Sequence, residues 1–92
     1  MHYCYILHSA KIDRYYIGES EDPSQRIHEH NNGFYKGSFT SRASDWCLQM
    51  SFQCINRKEA RKVETFIKKQ KSRKFIEKLL ANPGIVEDIK RK

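Results

Sequence analysis

Two tyrosines near the start of the chain are spaced so that one pair of strands would bring them together. Tyr5 lies in the run 3–9 and Tyr16 in the run 14–18, and aromatic and β-branched runs of this kind are typical of strands. The short connection between the runs excludes a parallel crossover, so we expect an antiparallel hairpin with the tyrosines roughly across from each other. Such a pair either packs as an ordinary cross-strand contact or holds and deprotonates an attacking water.

Arg26 and His30 form a second pair that could do chemistry. They lie four residues apart in a segment that reads as a helix, so both side chains project from one face. This helix has little apolar surface besides Ile27. An arginine and a histidine aimed the same way could meet a phosphate; the alternative is a solvated helix face, where charged residues usually lie.

Glu64 is placed unusually for a solvent-exposed carboxylate. It follows Val63 directly and lies three residues before Ile67, which sets it on or beside the apolar stripe of a helix. Its sequence neighbours are largely cationic. A carboxylate in that position either pairs with a cation or binds a hard metal ion through oxygen.

Cationic residues are concentrated in the last third of the chain. The chain as a whole carries a net charge of +7, from 18 Lys plus Arg against 11 Asp plus Glu. This excess indicates a polyanionic partner, although solubility alone could also explain it. We expect the clustered cations to contact a phosphate backbone without sequence specificity. The candidates are Arg57, Lys58, Arg61, Lys62, Lys68, Lys69, Lys71, Arg73 and Lys74.

The surrounding sequence predicts an α+β fold, a three-stranded antiparallel β-sheet flanked by helices in the order β-β-α-β-α-α. Helix starts are marked by the caps Asp22, Asn56 and Ser72. The alternation of apolar and polar residues over 46–55 predicts the third strand. We expect one domain over residues 1–82 and a short basic C-terminal tail over residues 83–92, with no more than a weak helical turn.

Length and cysteine usage limit the class of protein. With 92 residues the chain can build one small core. The three cysteines do not suggest a disulfide framework or a zinc site. The N-terminus lacks the pattern of a signal peptide, and no apolar run is long enough to cross a bilayer. We therefore expect a cytoplasmic protein with no membrane partner.

The order of these motifs resembles the GIY-YIG nuclease superfamily. The resemblance is carried by Tyr3-Cys4-Tyr5, by Tyr16-Ile17-Gly18, by the segment from Asp22 to Asn31 with the pattern D-x-x-x-R-x-x-x-H-N, and by the helix around Glu64. A closing helix over 71–80 is similar to that of short stand-alone members. The first motif lacks the glycine and isoleucine of the family pattern. Glu19 follows the second motif, where it would either repel phosphate or help to hold metal.

The resemblance implies a metal-dependent phosphodiesterase. It implies that Tyr5 and Tyr16 are the active-site tyrosines, Arg26 binds phosphate, His30 assists and Glu64 ligates Mg²⁺ or Mn²⁺. We expect these five catalytic residues to converge on a cleft between the hairpin and the first helix. Tyr5 is the favoured general base, with Tyr16 and His30 as the alternatives.

The expected function is hydrolysis of phosphodiester bonds in DNA by a structure-directed or weakly specific endonuclease, with a role in DNA repair. The alternative is a catalytically weak nucleic-acid-binding accessory module of repair or recombination. We expect a monomer that a partner protein could recruit to DNA. Salt-sensitive DNA binding without metal-dependent cleavage would favour the alternative.

Overall fold

The sheet is built from the opening hairpin and one later strand. The computed structural model describes residues 1–34 and 37–92, so two residues of the predicted loop 33–44 lie outside the described range. Strands β1 (His2–Ser9) and β2 (Arg14–Ser20) pair antiparallel, and β3 (Cys47–Cys54) pairs antiparallel with the other edge of β1. The strand order is β2-β1-β3. The predicted three-stranded antiparallel sheet is confirmed.

Helices cover both faces of this sheet. They are α1 (Pro23–Asn31), α2 (Arg57–Gln70), α3 (Arg73–Ala81) and α4 (Ile85–Lys90), and a short 3₁₀ helix (Phe39–Arg42) precedes β3. Together with the sheet they make the α+β architecture that the sequence predicts.

The helix starts lie at the predicted caps. The Asp22 carboxylate accepts a hydrogen bond from the backbone N–H of Gln25, and the amide oxygen of Asn56 accepts one from the N–H of Glu59. The Ser72 hydroxyl accepts the N–H of Phe75. Each cap satisfies a backbone donor that the first helical turn leaves free, which fixes where the helix begins.

The sheet buries different residues on its two faces. On one face, Ile6 and Ile17 pack against Val63 of α2 in the larger core. On the other face, Tyr5 and Leu7 pack in a smaller cluster with Trp46, and Tyr16 and Ile27 lie at its border. Because successive side chains of a strand point to opposite faces, the two tyrosines and α2 lie on opposite sides of the sheet.

Strand β3 does not alternate as its sequence predicts. Ile6 of β1 pairs with Met50, but the next residue, Leu7, pairs with Leu48, so Gln49 is an extra residue in a β-bulge. The bulge breaks the alternating pattern, and Leu48 is left 43% exposed instead of joining the face that carries Phe52.

Residues 83–92, expected to form a basic tail, contain α4. Val86 and Ile89 of this helix are buried in the larger core. Lys62 of α2 donates to the backbone carbonyls of Lys90 and Lys92, which holds the end of the chain against α2. Among the described helices, none is both long and apolar enough to cross a bilayer.

Candidate active site

The two tyrosines share one face of the hairpin but are diagonal neighbours. Tyr5 pairs with Gly18 and Tyr16 pairs with Leu7, so the two tyrosines, expected roughly across from each other, are offset by two residues along the paired strands. Their ring centroids are 6.4 Å apart. A Cβ on Gly18 would lie only 2.5 Å from the Tyr5 phenol oxygen. Glycine is therefore needed at this position to let the Tyr5 ring lie flat across β2.

Tyr5 is fully buried, and its phenol hydrogen-bonds a buried histidine. The Tyr5 oxygen lies 3.4 Å from Nε2 of His30, and His30 Nδ1 lies 2.7 Å from the hydroxyl of Thr40. Thr40 is itself buried, and its backbone carbonyl accepts the indole N–H of Trp46. The chain Tyr5–His30–Thr40 thus ties β1 and α1 to the 3₁₀ helix behind the exposed surface.

Burial, with a smaller contribution from the positive charge of Arg26, lowers the pKa of His30 below its usual value. A neutral imidazole has one N–H donor and one acceptor nitrogen. Since both ring nitrogens have hydroxyl partners, either tautomer can be satisfied. His30 therefore sits in the fold as an uncharged link between two hydroxyl groups.

Tyr16 is the more accessible of the two phenols. It lies on the edge strand β2 and is half-buried. Its ring contacts the His30 ring at 5.1 Å between centroids, and the ammonium of Lys68 lies 5.6 Å from the Tyr16 centroid. A cation over a tyrosine ring is attracted by the ring electrons. Tyr16 is therefore the point where the buried histidine and a cation of α2 meet.

Glu64 of α2 is linked to Tyr16 through Lys68. Its carboxylate accepts a hydrogen bond from the Lys68 ammonium at 2.7 Å and is 17% exposed. Although α2 covers the sheet face opposite to the tyrosines, Lys68 bridges Glu64 and Tyr16 at the open edge of β2. Lys68 therefore links the Glu64 carboxylate to the Tyr16 ring around the edge strand, instead of both groups lying in one cleft between the hairpin and α1 as expected.

Arg26 of α1 lies near the place where the start of α2 contacts the end of β2. It lines a cleft together with Glu19 and Arg57, and its side chain is 40% exposed. Arg57 pairs with Glu19 near the end of β2, whereas Lys68 contacts Tyr16 nearer its start. Helix α2 thus runs along the edge strand, with Glu64 between the two contacts.

Glu19 is contacted by His2 and Arg57, one at each carboxylate oxygen. Burial alone would raise the pKa of Glu19, but the hydrogen bond and charge of His2, with Arg57, more than offset this, and the pKa lies below its usual value. The two roles considered for Glu19, repelling phosphate and helping to hold metal, stay predictions.

The donor set fits a hard divalent ion with few protein ligands. Across residues 1–34 and 37–92, no three His, Cys, Asp or Glu side chains are grouped as a metal cluster. Mg²⁺ commonly takes one or two carboxylates and completes its shell with water and substrate phosphate. The half-buried carboxylate of Glu64 near the edge of β2 suits this coordination by one protein ligand. It does not suit a site in which protein side chains supply every ligand.

The nine candidate nucleic-acid contacts are spread over several surfaces. Lys68, Lys71 and Arg73 line a groove beside Tyr16. Three others line a separate depression between α2 and α4: Arg61, Lys62 and Lys69. Arg57 lies in the Arg26 cleft, and Lys58 and Lys74 are exposed.

Sequence reasoning missed the position of Lys68 in the site and the anchoring role of Thr40. The spacing of Glu64 and Lys68, four residues apart on a helix, was a signal for their ion pair. The contact of Lys68 with Tyr16 and the hydrogen bond of Thr40 to His30 had no local signal, because both join residues that are distant in sequence.

The chain belongs to the GIY-YIG family. The model of the GIY-YIG catalytic domain matches residues 1–78, which confirms the family inferred from the motifs and the expectation of a nuclease-class enzyme. The residues described above lie inside the matched range.

Two relatives carry the name structure-specific endonuclease subunit SLX1. They come from Cryptococcus neoformans var. neoformans serotype D, strains JEC21 and B-3501A, and each is 41% identical to this chain over 51 residues. The match covers 51% of this chain and 10% of each relative, so the chain spans only about a tenth of their length. No solved structure matches this chain.

Proposed function

We propose that this protein is an endonuclease that hydrolyses phosphodiester bonds in DNA with the help of Mg²⁺ or Mn²⁺. The observation that carries the proposal is the meeting of Tyr16, Lys68 and Glu64 at the open edge of β2. A phenol, an ammonium and a carboxylate at one exposed edge are groups that can orient water, bind phosphate and hold a cation.

Glu64 would hold the metal ion, which supplies positive charge to the phosphate and the leaving oxygen when bound. Tyr16 is the more accessible phenol and is linked to that carboxylate through Lys68, so Tyr16, once ionised to the phenolate, orients the attacking water and accepts its proton. The new P–O bond forms as the bond to the leaving oxygen breaks, and the leaving oxygen takes a proton from solvent water. Placing the base at Tyr16 revises the expectation for Tyr5, whose side chain is fully buried behind Tyr16. Lys68 is placed to release Glu64 and to bind a phosphate oxygen instead.

Arg26 and Arg57 offer two guanidinium groups on one cleft. The charge of Arg26 also acts on His30, whose ring contacts Tyr16. A guanidinium binds two phosphate oxygens through its planar fork, which lysine cannot copy. Arg26 therefore binds the non-bridging oxygens as the attack proceeds, and Arg57 extends phosphate binding along the strand.

Tyr16, Lys68 and Glu64 at the edge of β2 form what we call the reactive edge. The buried chain Tyr5–His30–Thr40 positions it. Its hydrogen bonds fix the His30 ring, and that ring contacts Tyr16 edge-on. A phenol held in one orientation by packing loses less entropy when it meets the substrate. His30 and Tyr5 therefore act on catalysis through the placement of Tyr16.

A structure-directed substrate and a partner protein complete the proposal. The relatives are named as a subunit of a structure-specific endonuclease, which supports a structure-directed nuclease that works with another protein; for this chain we propose branched DNA as the substrate and a role in repair. Free thiols at Cys4, Cys47 and Cys54 suit a reducing, cytoplasmic location.

The test is a cleavage assay on single strands, duplexes, flaps, forks and junctions, each with Mg²⁺, Mn²⁺ or a chelator. The proposal expects metal-dependent cuts on at least one branched substrate at a rate well above that on the matched duplex. Salt-sensitive binding of these DNAs, with no cleavage under either metal, would contradict it. That outcome would favour the accessory-module alternative, in which Lys68 keeps Glu64 paired.

A further inference from the structure

A groove beside the reactive edge combines an apolar floor with a basic rim. It has a volume of about 480 Å³ and runs between residues 14–17 of β2, the end of α2 and the start of α3. We call it the β2–α3 groove. Ile17, Ile67 and Ile76 form its apolar floor, and Tyr16 lies at the end of the groove next to the reactive edge. The established family match does not account for this feature.

The rim of the β2–α3 groove carries cations at both sides. Arg14 lies on β2, and Lys71 lies in the turn that joins α2 to α3. Both side chains are exposed, and within residues 1–34 and 37–92 neither forms an ion pair, unlike Arg73, which pairs with Asp13 and Glu77. Two unpaired cations on opposite sides of an apolar floor offer charge to a ligand that is anionic along its length.

Lys71 is also held in an unfavourable backbone conformation. Its φ of 48° places it in the left-handed region at the C-cap of α2, where glycine or asparagine is the usual residue. Backbone strain retained beside a groove is consistent with a role in binding.

Besides its apolar floor and basic rim, the groove is lined by aromatic rings. Phe39 also lines the groove and is 37% exposed; its ring contacts Trp46 at 6.1 Å between centroids, and the Arg42 guanidinium lies 5.2 Å from its centroid. Exposed ring faces stack on unpaired bases, and this stacking tolerates any sequence. A duplex hides its base faces inside the stack, so an apolar floor of this kind would stay unfilled beneath a duplex.

We propose that the β2–α3 groove binds a single-stranded segment of nucleic acid that leads to the reactive edge. Bases lie over the isoleucine floor and against Phe39, while phosphates contact Arg14 and Lys71. The direction of the strand toward the cleavage point rests on the proposed function; binding in the groove does not. A single-strand track beside the cutting edge would give preference for flaps and forks over duplexes.

The test measures binding of fluorescent 12-nucleotide DNAs to the full chain in chelator, so that no cleavage occurs. Three probes have the same length: a single strand, its duplex and a strand with abasic sites in place of its bases. We expect the single strand to bind at least about fivefold more tightly than the abasic strand, as expected for stacking of one or more bases. Equal binding of these two probes would overturn the proposal.

Variants locate the binding in the groove. Lys71→Gly removes the cation and relieves the backbone strain, so the fold should be at least as stable, and Lys71→Asn is a second variant suited to the same conformation. Both should weaken single-strand binding at least about fivefold. Both should also reduce, by about 0.7, the slope of the logarithm of the binding constant against the logarithm of salt concentration. Arg91→Ala, which removes an exposed cation at the end of α4 outside the groove, should change single-strand binding less than twofold. Equal losses at Lys71 and Arg91 would overturn the proposal.

Phe39→Leu tests the role of the ring while keeping an apolar side chain. It should weaken binding of the base-bearing strand and leave the abasic strand unchanged; an equal effect on both would contradict stacking. The results distinguish a failure of the proposed single-strand binding in the groove from a failure of the proposed nuclease activity. Metal-dependent cleavage with no Lys71 effect would reject the groove alone, whereas groove-dependent binding without cleavage would reject the nuclease alone.

Discussion

Tyr5 and Tyr16 carry the same side chain on the same sheet face, but their surroundings differ. Tyr5 is 0% exposed and hydrogen-bonds His30, whereas Tyr16 borders the open edge and lies under Lys68. A group that accepts a proton from water must be within reach of that water. At the residue scale, burial therefore separates a positioning tyrosine from a reactive one.

The corresponding substitutions should differ in their effect. We expect Tyr16→Phe to lower the single-turnover cleavage rate about 100-fold or more, the usual contribution of acid–base catalysis. Tyr5→Phe should cost less, since it removes one long hydrogen bond inside the fold. Tyr15→Phe, one residue away and facing the other side of β2, is the control and should stay near wild type. A larger loss in Tyr5→Phe than in Tyr16→Phe would restore the assignment of Tyr5 as the base.

His30 should make stability depend on pH in a defined direction. Its pKa in the folded state lies below the usual 6.5 because burial disfavours the charged ring. Between that lowered value and 6.5, the unfolded chain binds more protons than the folded chain, so the free energy of unfolding falls as pH falls. The stabilisation is fully present above the unfolded pKa.

Urea unfolding between about pH 5 and 7.5, above the usual range of carboxylate titration, measures this dependence. We expect His30→Gln to flatten the curve, because the substitution removes the titrating ring. His28→Gln on the same helix replaces an exposed histidine and should leave the curve unchanged. A wild-type pH dependence in His30→Gln would show that another group is responsible.

At the scale of elements, local signals in the sequence predicted the starts of three helices. Asp22, Asn56 and Ser72 cap helices because each bonds a backbone donor three residues away. The connection length likewise predicted an antiparallel hairpin. The bulge at Gln49 and the contact between Lys68 and Tyr16 could not be predicted, because they depend on how distant segments pack.

Helix α4 was also difficult to predict from the local sequence. Its six residues give a weak local signal, yet packing against α2 buries Val86 and Ile89. Tertiary contacts, not helix propensity, stabilise such short helices. Residues 85–90 are therefore part of the folded core even though they follow the range that matches the family.

Matched isoleucine substitutions test the contribution of α4. Ile89 is 1% exposed and Ile55 is 72% exposed. We expect Ile89→Ala to lower the free energy of unfolding by about 2–5 kcal/mol through lost burial and a residual cavity. Ile55→Ala should change it by less than about 0.5 kcal/mol. Equal stability of the two variants in urea would show that α4 is a dispensable tail.

For the whole molecule, the reactive edge depends on two layers that meet at β2. Helix α1 and the 3₁₀ helix hold His30 on one side, while α2 brings Glu64 and Lys68 from the other. A thin fold of this size cannot enclose a deep pocket, so the edge strand is where groups from both faces come together. The Arg26 cleft and the β2–α3 groove lie on either side of that meeting point.

The central claim is that Glu64 is the carboxylate through which a metal ion supports cleavage. Glu64→Gln keeps the size of the side chain and removes its charge, so the fold should persist while the anchor for the cation is lost. The control is Glu87→Gln, which alters an exposed glutamate of α4 that pairs with Lys90.

The measurement is single-turnover cleavage of a branched DNA in Mg²⁺, with binding of the same DNA measured in chelator. We expect Glu64→Gln to lose at least about 100-fold in rate, as for other lost electrostatic stabilisation of a transition state. Its binding should stay within about twofold, because the cations that contact phosphate remain, and Glu87→Gln should match wild type in both. Cleavage by Glu64→Gln at the wild-type rate would contradict the account.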